Sequence, residues 1–413
     1  MAYQGPVNTA ELPLRPLTGD DAAAYSAVLA KAFLHDPAID ERKAWWRAEV
    51  EQGRSIGVFD GDRLAGGGVI MNRSVVLPGG NVVPFAAVSG ISVASDYRRR
   101  GILTRIMRDQ LHGLHEHGGE PLATLWASES RIYRRYGYGE ASLTVRFRIP
   151  KGSQFRPGIE LSPDPIRELD AAQARPLIED LYAKALPNRV GRLSRGTHVW
   201  DGLFIDDPRD RGGMTEYRYA VHPEGYAVYR VGPGRDDNGP SGALDVDEIV
   251  STTPQAHASL WRYVLDMDLV RTITGRFGSD DPVRQMLAEP QESTFKSEPA
   301  VWVRLVDLDR ALPTRRYSAP LDVVIEVTDE FCPWNAGRWR LRVDGSGAAE
   351  VTRTQDAPDI ATDILDLGAA FLGGTRLSTL AWTGRVRELT DGAVASTSMA
   401  FLGEYEPDTA EVF

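Results

Sequence analysis

The chain has 413 residues, 42% hydrophobic and 25% charged, enough apolar material for two to four cores of ordinary domain size. Its net charge of −11 argues against nucleic acid or an anionic membrane as the main partner and favours neutral or cationic ligands. The opening MAYQGPVNTAELPLRPL lacks the basic start and apolar core of a signal peptide, and no apolar run is long enough for a membrane span, so a soluble cytoplasmic protein is expected.

Thr18 as N-cap, with Tyr25, Val28, Leu29 and Phe33 behind it, predicts an amphipathic helix, and a second helix is expected over Glu41 to Gln52. From Ser55 to Ser95 apolar runs alternate with turns at Asp60-Gly61-Asp62 and Pro78-Gly79-Gly80, which predicts three or four antiparallel strands. After Val93 the pattern changes period: Ile102, Leu103, Ile106, Met107, Leu111 and Leu114 recur at helical spacing until Gly118-Gly119. PLATLWAS reads as a buried strand, ASESRIYRRYG as a short helix or turn, and SLTVRFRIP as an alternating strand. A boundary is expected in KGSQFRPGIELSPDP.

The second section repeats the order helix, strands, helix, strand, through IRELDAAQARPLIEDLYAKAL, TEYRYAVH, GYAVYRVGP, ASLWRYVLDMD and PAVWVRLVDL. Where an arginine-glycine loop would join strand to helix it has only STTPQAHASL, so it reads as a duplicated fold without a cofactor site. After the linker ALPTRRYSAP, LDVVIEVTD, RWRLRVDGSGAAEVTRT and SMAFLGEY read as strands, and DIATDILDLGAAFLGG and LSTLAWTGRVRE as helices. Cys332, the single cysteine, has no histidine beside it in DEFCPWN and reads as a buried thiol rather than a nucleophile.

Two patterns carry chemistry. A strand ending in SVAS, then DYRRRGIL, then an amphipathic helix puts the backbone N–H groups of residues 99–103 at a helix N-terminus beside guanidinium groups, which together suit a pyrophosphate. Gly101 lets the backbone approach the phosphates. ASESRIYRRYGYG holds three tyrosines, each a packing aromatic or a proton donor. His112, His115 and His117 lack an HExxH pattern or a cysteine partner and are not read as metal ligands. Gly66-Gly67-Gly68 lies in a strand region and is no nucleotide fingerprint.

Arg98-Arg99-Arg100-Gly101-Ile102-Leu103 resembles motif A of the GNAT acetyltransferases, in which an arginine/glutamine-x-x-glycine-x-glycine/alanine loop holds the pyrophosphate of acetyl-CoA, and departs from it at Leu103. ISVASDYRRRGILTRIM, ASESRIYRRYGYG, the chain length and a final phenylalanine resemble the Eis family of actinobacterial N-acetyltransferases. That resemblance implies a mixed α+β fold. It consists of a GNAT domain with the acetyl-CoA site (1–155), a degenerate GNAT-like region (156–312) and a sterol-carrier-protein-like domain (313–413), assembled as a homohexamer.

The resemblance also implies roles for single residues. Ile91, Ser92 and Val93 would offer backbone to the pantetheine arm, Arg99, Arg100, Gly101, Ile102, Leu103 and Thr104 would hold the pyrophosphate, and Ser128 and Glu129 would sit beside the cofactor. Tyr133 would be the general acid, leaving Tyr136 and Tyr138 as packing residues, and the terminal carboxylate of Phe413 the general base. Phe33, Asp36, Trp45, Trp46 and Glu411 are the candidates for contacts to a cationic multi-amine acceptor such as an aminoglycoside, a polyamine or a lysine side chain. The competing reading is a lipid or sterol carrier with a vestigial acyltransferase fold.

Overall fold

The computed structural model describes residues 9–36, 38–52, 54–409 and 411–413. Residues 1–8, part of the segment read as lacking a leader, lie outside them.

The first section runs β1 (Leu14–Pro16), α1 (Ala22–Ala32), α2 (Asp40–Gln52), β2 (Ile56–Asp60), β3 (Arg63–Val76), β4 (Val82–Val93), α3 (Ile102–Glu116), β5 (Leu122–Trp126), α4 (Ser130–Tyr133), β6 (Gly139–Glu140) and β7 (Leu143–Pro150). Thr18 opens the first helical segment through a capping box with Asp21, whose carboxylate accepts from the Thr18 N–H at 2.9 Å. The long hairpin of β3 and β4 turns at Pro78-Gly79-Gly80, closed by Leu77 N–H to Asn81 C=O at 2.8 Å. On α3, Ile102, Ile106, Met107, Leu111 and Leu114 are all buried against the sheet.

The second section runs β8 (Arg167–Leu169), α5 (Ala171–Ala185), α6 (Thr197–Leu203), β9 (Arg218–His222), β10 (Gly225–Gly232), a small hairpin β11 (Arg235–Asp236) and β12 (Gly239–Pro240), β13 (Gly242–Ser251), α7 (Pro254–Leu265), β14 (Val270–Gly278), α8 (Val283–Met286) and β15 (Thr294–Pro299). Then come β16 (Val301–Leu305), α9 (Leu308–Ala311), β17 (Leu321–Thr328), β18 (Gly337–Val343), β19 (Ala349–Arg353), β20 (Ile360–Asp363), α10 (Ile364–Ala370), α11 (Leu377–Trp382), β21 (Val386–Glu388) and α12 (Ala393–Phe401).

Sheet membership departs from the expected linear boundaries at two strands. The first sheet has the order β1-β2-β3-β4-β5-β16-β6 and the second β15-β7-β14-β13-β10-β9-β8, so the two sections exchange β7 and β16. Burial explains the exchange. All five residues of β16 are buried, a state that its interior place between β5 and β6 satisfies. β7 alternates, and its Val145, Phe147 and Ile149 complete the second core around Trp261 and Phe277.

The third sheet, β19-β18-β17-β20-β21, differs from expectation at its end. SMAFLGEY is not a strand: through Phe401 it is the last turn of α12, which buries Thr397, Ser398, Ala400 and Phe401 at helical spacing. DIATDILDLGAAFLGG begins as β20 and becomes helix only at Ile364, where Asp363 caps α10 by accepting from the Leu365 N–H at 3.0 Å.

Arg304 of β16 joins the parts. Its guanidinium is fully buried, pairs with Asp329 at 2.6 Å in the third domain, and lies so close beneath the turn after Tyr133 that a Cβ on Gly137 would overlap it. The three histidines likewise take protein partners. His112 shares a hydrogen bond with the Phe331 carbonyl at 3.1 Å, His115 pairs with Asp307 at 2.5 Å and stacks on Trp334, and His117 bonds the Gly113 carbonyl at 2.8 Å.

Candidate active site

β4 and β5 are parallel neighbours, yet only Ala86↔Ala123 and Ala87↔Thr124 pair among the described residues. Beyond them the strands part. A bulge in β4, where the four residues from Ser89 to Ser92 face the three from Val69 to Gly67, bends the strand away, with Gly90 at φ +61° and its carbonyl accepting from the Tyr25 hydroxyl at 2.7 Å. Ile91 and Val93 line this opening half-buried. The hydroxyls of Ser92 and Thr124 are buried there without a hydrogen-bond partner among the described residues.

The loop from β4 to α3 has the form of an anion nest: Arg99 at φ +63° and Gly101 at φ +87° turn successive N–H groups to one side, and Arg98, Arg99, Arg100 and Gly101 are exposed. Nothing lies within 4 Å of where a Gly101 side chain would start, so the positive φ, rather than crowding, requires the glycine. Gly101 places no side chain over the N–H groups of Ile102, Leu103 and Thr104. The Thr104 hydroxyl is tied to that of Tyr136 at 3.0 Å.

The equivalent junction of the second section is closed. Thr253 caps α7 with its own side chain, accepting from Ala256 N–H at 3.3 Å, and Pro254 brings no N–H to the first turn.

Tyr133 ends α4 at 9% exposure, edge-on to Tyr138 with centroids 6.1 Å apart. Burial pushes its phenol up to about 12, with Tyr136 and Glu129 adding to the effect, so it carries its proton at neutral pH. Ser128 and Glu129 precede it, both exposed. Tyr136 and Tyr138 are buried in the same core, and burial also pushes the Cys332 thiol up to about 11, which leaves it inert.

Phe413 packs on the other face of the sheet. Its ring sits edge-on to Phe85 at 6.0 Å and packs on the core that contains Phe85 and Ala87, whereas Tyr133 and α3 share a core with Ala86 and Val88. Alternation along β4 therefore puts Tyr133 and Phe413 on opposite faces of the sheet.

The expected acceptor contacts divide. Phe33 is 44% exposed, and exposed Asp36 lies within electrostatic reach of Arg209. Trp45 is taken up by packing, stacked on His198 at 4.8 Å with its indole N–H on the His198 carbonyl, and Trp46 packs against Tyr25. Glu411 is no free acceptor contact: one oxygen accepts from Arg195 at 2.8 Å and the other from Arg73. Burial alone would raise its carboxyl, and the two arginines outweigh burial and hold it below the ordinary value.

Three domain families match the chain: an acetyltransferase (GNAT) domain at residues 13–141, another at 191–305, and a sterol carrier protein domain at 308–408. An uncharacterized N-acetyltransferase of Streptomyces avermitilis is 38% identical over 403 residues, 95% of this chain and 98% of its own. N-acetyltransferase Eis of Mycobacterium tuberculosis is 31% identical over 399 residues, 94% of this chain and 96% of its own. The crystal structure of Eis1 from Mycobacterium abscessus superposes with a TM-score of 0.83 at 31% identity, covering 97% of this chain and all of that one. The chain belongs to the Eis-like GNAT N-acetyltransferases.

GNAT acetyltransferases use acetyl-CoA. The residues fit that cosubstrate: a nest and a helix N-terminus for the pyrophosphate, and an opening between parted strands, with two unpartnered hydroxyls, for the pantetheine arm. Among the described residues no helix is long and apolar enough to cross a membrane.

Sequence reasoning missed several residues at this site. Trp126, at the end of β5, donates its indole N–H to the Glu411 carbonyl at 2.8 Å, and Arg73 and Arg195 grip the Glu411 side chain. A cavity of about 820 Å³ opens beside Glu411 and Val412, walled by Asp245, Asp247 and Glu248 of β13. Asp247 keeps a water-exposed edge there but is surrounded by protein, which, together with Glu248, pushes its carboxyl up to about 6. No local motif marks these residues, because each acts on a partner far away in sequence.

Proposed function

We propose that the enzyme transfers the acetyl group of acetyl-CoA to a primary amine of a cationic multi-amine acceptor, of aminoglycoside, polyamine or lysine type. The observation that supports this reading is that Tyr133 and Phe413 pack on opposite faces of the sheet that contains β4 and β5. The loop of Arg99 to Thr104, with Ser128 and Glu129 nearby, holds the cosubstrate on the α3 side, and Ile91, Ser92 and Val93 guide its arm into the gap.

The acceptor amine enters from the tail side, along the cavity whose wall carries Asp245, Asp247 and Glu248. Asp247 in that wall, with Asp36 and Phe33 at the end of α1, would meet the cation, while the arginines of the same wall hold Glu248, Asp408 and Glu411. Taking Phe413 as the last residue, its α-carboxylate removes a proton from the ammonium or the attacking amine. The nitrogen then attacks the thioester carbonyl, and the Tyr133 phenol gives its proton to the departing thiolate. An α-carboxyl has a reference pKa of about 3.5 and needs a desolvated seat to act as a base; the half-buried ring of Phe413, packed on the core, supports that reading.

Consumption of acetyl-CoA places the enzyme in the cytoplasm, and its family relationship extends the reading to a homohexamer, which sedimentation velocity measures. The decisive assay is thiol release from acetyl-CoA with a panel of amines, scored by mass increment per product. No turnover with any amine, alongside stoichiometric lipid binding, would replace this reading with that of a carrier.

A further inference from the structure

We propose that the second GNAT domain, which lacks a phosphate site, is the dock for the chain's own tail: its parted strands and an arginine–carboxylate latch hold Asp408, Thr409 and Glu411 and thereby set Phe413 against the first domain. The inference rests on the reading of Phe413 as the base.

The second sheet parts as the first does. The parallel ladder of β13 and β14 ends at Val246↔Gly275, so residues 247–251 and 276–278 diverge. In the first domain this opening leads to a free helix N-terminus, whereas here Thr253 and Pro254 close it.

The tail lies at the mouth of the second opening. Asp408 donates its N–H to Val190 C=O at 2.7 Å, and its carboxylate accepts from Arg192 at 2.6 Å. A Cβ on Gly278, the last residue of β14, would lie 2.7 Å from the Asp408 carboxylate, so a glycine lets the tail press against the strand end. Thr409 and Ser142 share a hydroxyl hydrogen bond at 2.5 Å. Arg195 then binds Glu411 with Nε and Glu248, on the diverging stretch of β13, with its two terminal nitrogens at 2.7 and 3.0 Å.

From Glu411 the contacts cross to the first domain. Its second carboxylate oxygen accepts from Arg73 of β3, and its carbonyl from Trp126 of β5. Two residues later Phe413 meets Phe85. The latch is largely dry, with side-chain exposures of 3% for Arg73, 5% for Arg195 and 13% for Glu411. The charged groups that face it are Glu248 and Asp247, with the Tyr182 ring, around Arg195, and Glu49, itself paired with His198, beside Arg73. Glu411, Arg73, Arg192 and Arg195 are thus assigned as positioning residues for Phe413.

Glu411→Gln, Arg195→Met and Arg192→Met test the dock through two readouts. If the latch sets the tail, kcat falls about 10- to 100-fold while KM for acetyl-CoA stays within about two-fold, the signature of a misplaced reacting group. Carboxypeptidase also releases Phe413 at least about ten-fold faster from these variants than from the native chain, as expected when a local closing equilibrium is lost. Arg195→Lys, which keeps the charge, restores part of both. Native kcat together with native carboxypeptidase resistance in Arg195→Met overturns the proposal.

Thr409→Ala and Gly278→Ala perturb the tail without removing a buried charge, so release of Phe413 from them decides the matter if the arginine variants do not fold. A chain with extra residues after Phe413 runs alongside, its tail followed by hydrogen exchange over 407–413. Full activity of that chain would defeat the base, while the protease and exchange readouts still judge the dock.

Discussion

Phe413 sets its ring edge-on to Phe85 with centroids 6.0 Å apart, two residues before β4 makes its last pair with β5. Tyr133 lies in the core on the other face. Acetyl transfer in this account runs through the gap in the sheet, with the acid on the cosubstrate side and the base on the acceptor side.

Tyr133→Phe keeps the ring and removes the proton. Loss of a general acid costs 10²- to 10⁴-fold, so kcat is expected to fall by about 10³-fold with KM for acetyl-CoA nearly unchanged. Because burial pushes the native phenol up to about 12, Tyr133 stays protonated and kcat should show no alkaline loss from this group below about pH 10. A stopped-flow thiol assay across pH checks both statements.

The loop of Arg98 to Gly101 predicts the opposite kinetic pattern. Arg99→Ala and Arg100→Ala each remove an exposed cation from the proposed pyrophosphate site, worth about 1–2 kcal/mol, and should raise KM for acetyl-CoA roughly 5- to 30-fold with kcat preserved. Gly101→Ala, forced into φ +87°, should raise KM and lower stability by about 1 kcal/mol.

Arg304 and Asp329 pair at 2.6 Å with side-chain exposures of 0% and 1%. Arg304→Met strands a buried carboxylate, so unfolding free energy should fall by about 3–5 kcal/mol, measured by urea denaturation. The double change Arg304→Met with Asp329→Leu should recover most of that loss.

Acid should open the tail. The Glu411 carboxyl is depressed in the folded chain, so its stabilisation is fully present above the ordinary carboxylate value of about 4.5 and is lost as pH falls through the lower folded value. Hydrogen exchange over 407–413 should therefore accelerate below about pH 4 in the native chain, and Glu411→Gln should abolish that acid step.

Local pattern made much of this legible. The stripe from Ile102 to Leu114 and the RRRG loop before it announced α3 and the glycine turn at its start, because both depend on neighbours within a few residues. The exchange of β7 and β16 was not legible, since pairing partners such as Thr124 and Val303 are chosen across the chain by burial. The partners of Glu411 were not legible for the same reason: its arginines lie 216 and 338 residues away, and an acidic residue near a chain end carries no sign of them. SMAFLGEY carries apolar residues that suit a strand as well as a helix, and only the buried spacing of α12 decides between the two.

The most direct measurement compares kcat of the native enzyme with that of a semisynthetic chain ending in Phe413 carboxamide, after intact mass has established Phe413 as the last residue. The amide keeps the ring on Phe85 and removes only the base. The account expects kcat to drop by at least about 10²-fold, with unchanged KM for acetyl-CoA and unchanged carboxypeptidase-independent tail protection. An amidated enzyme that transfers acetyl at the native rate would contradict it.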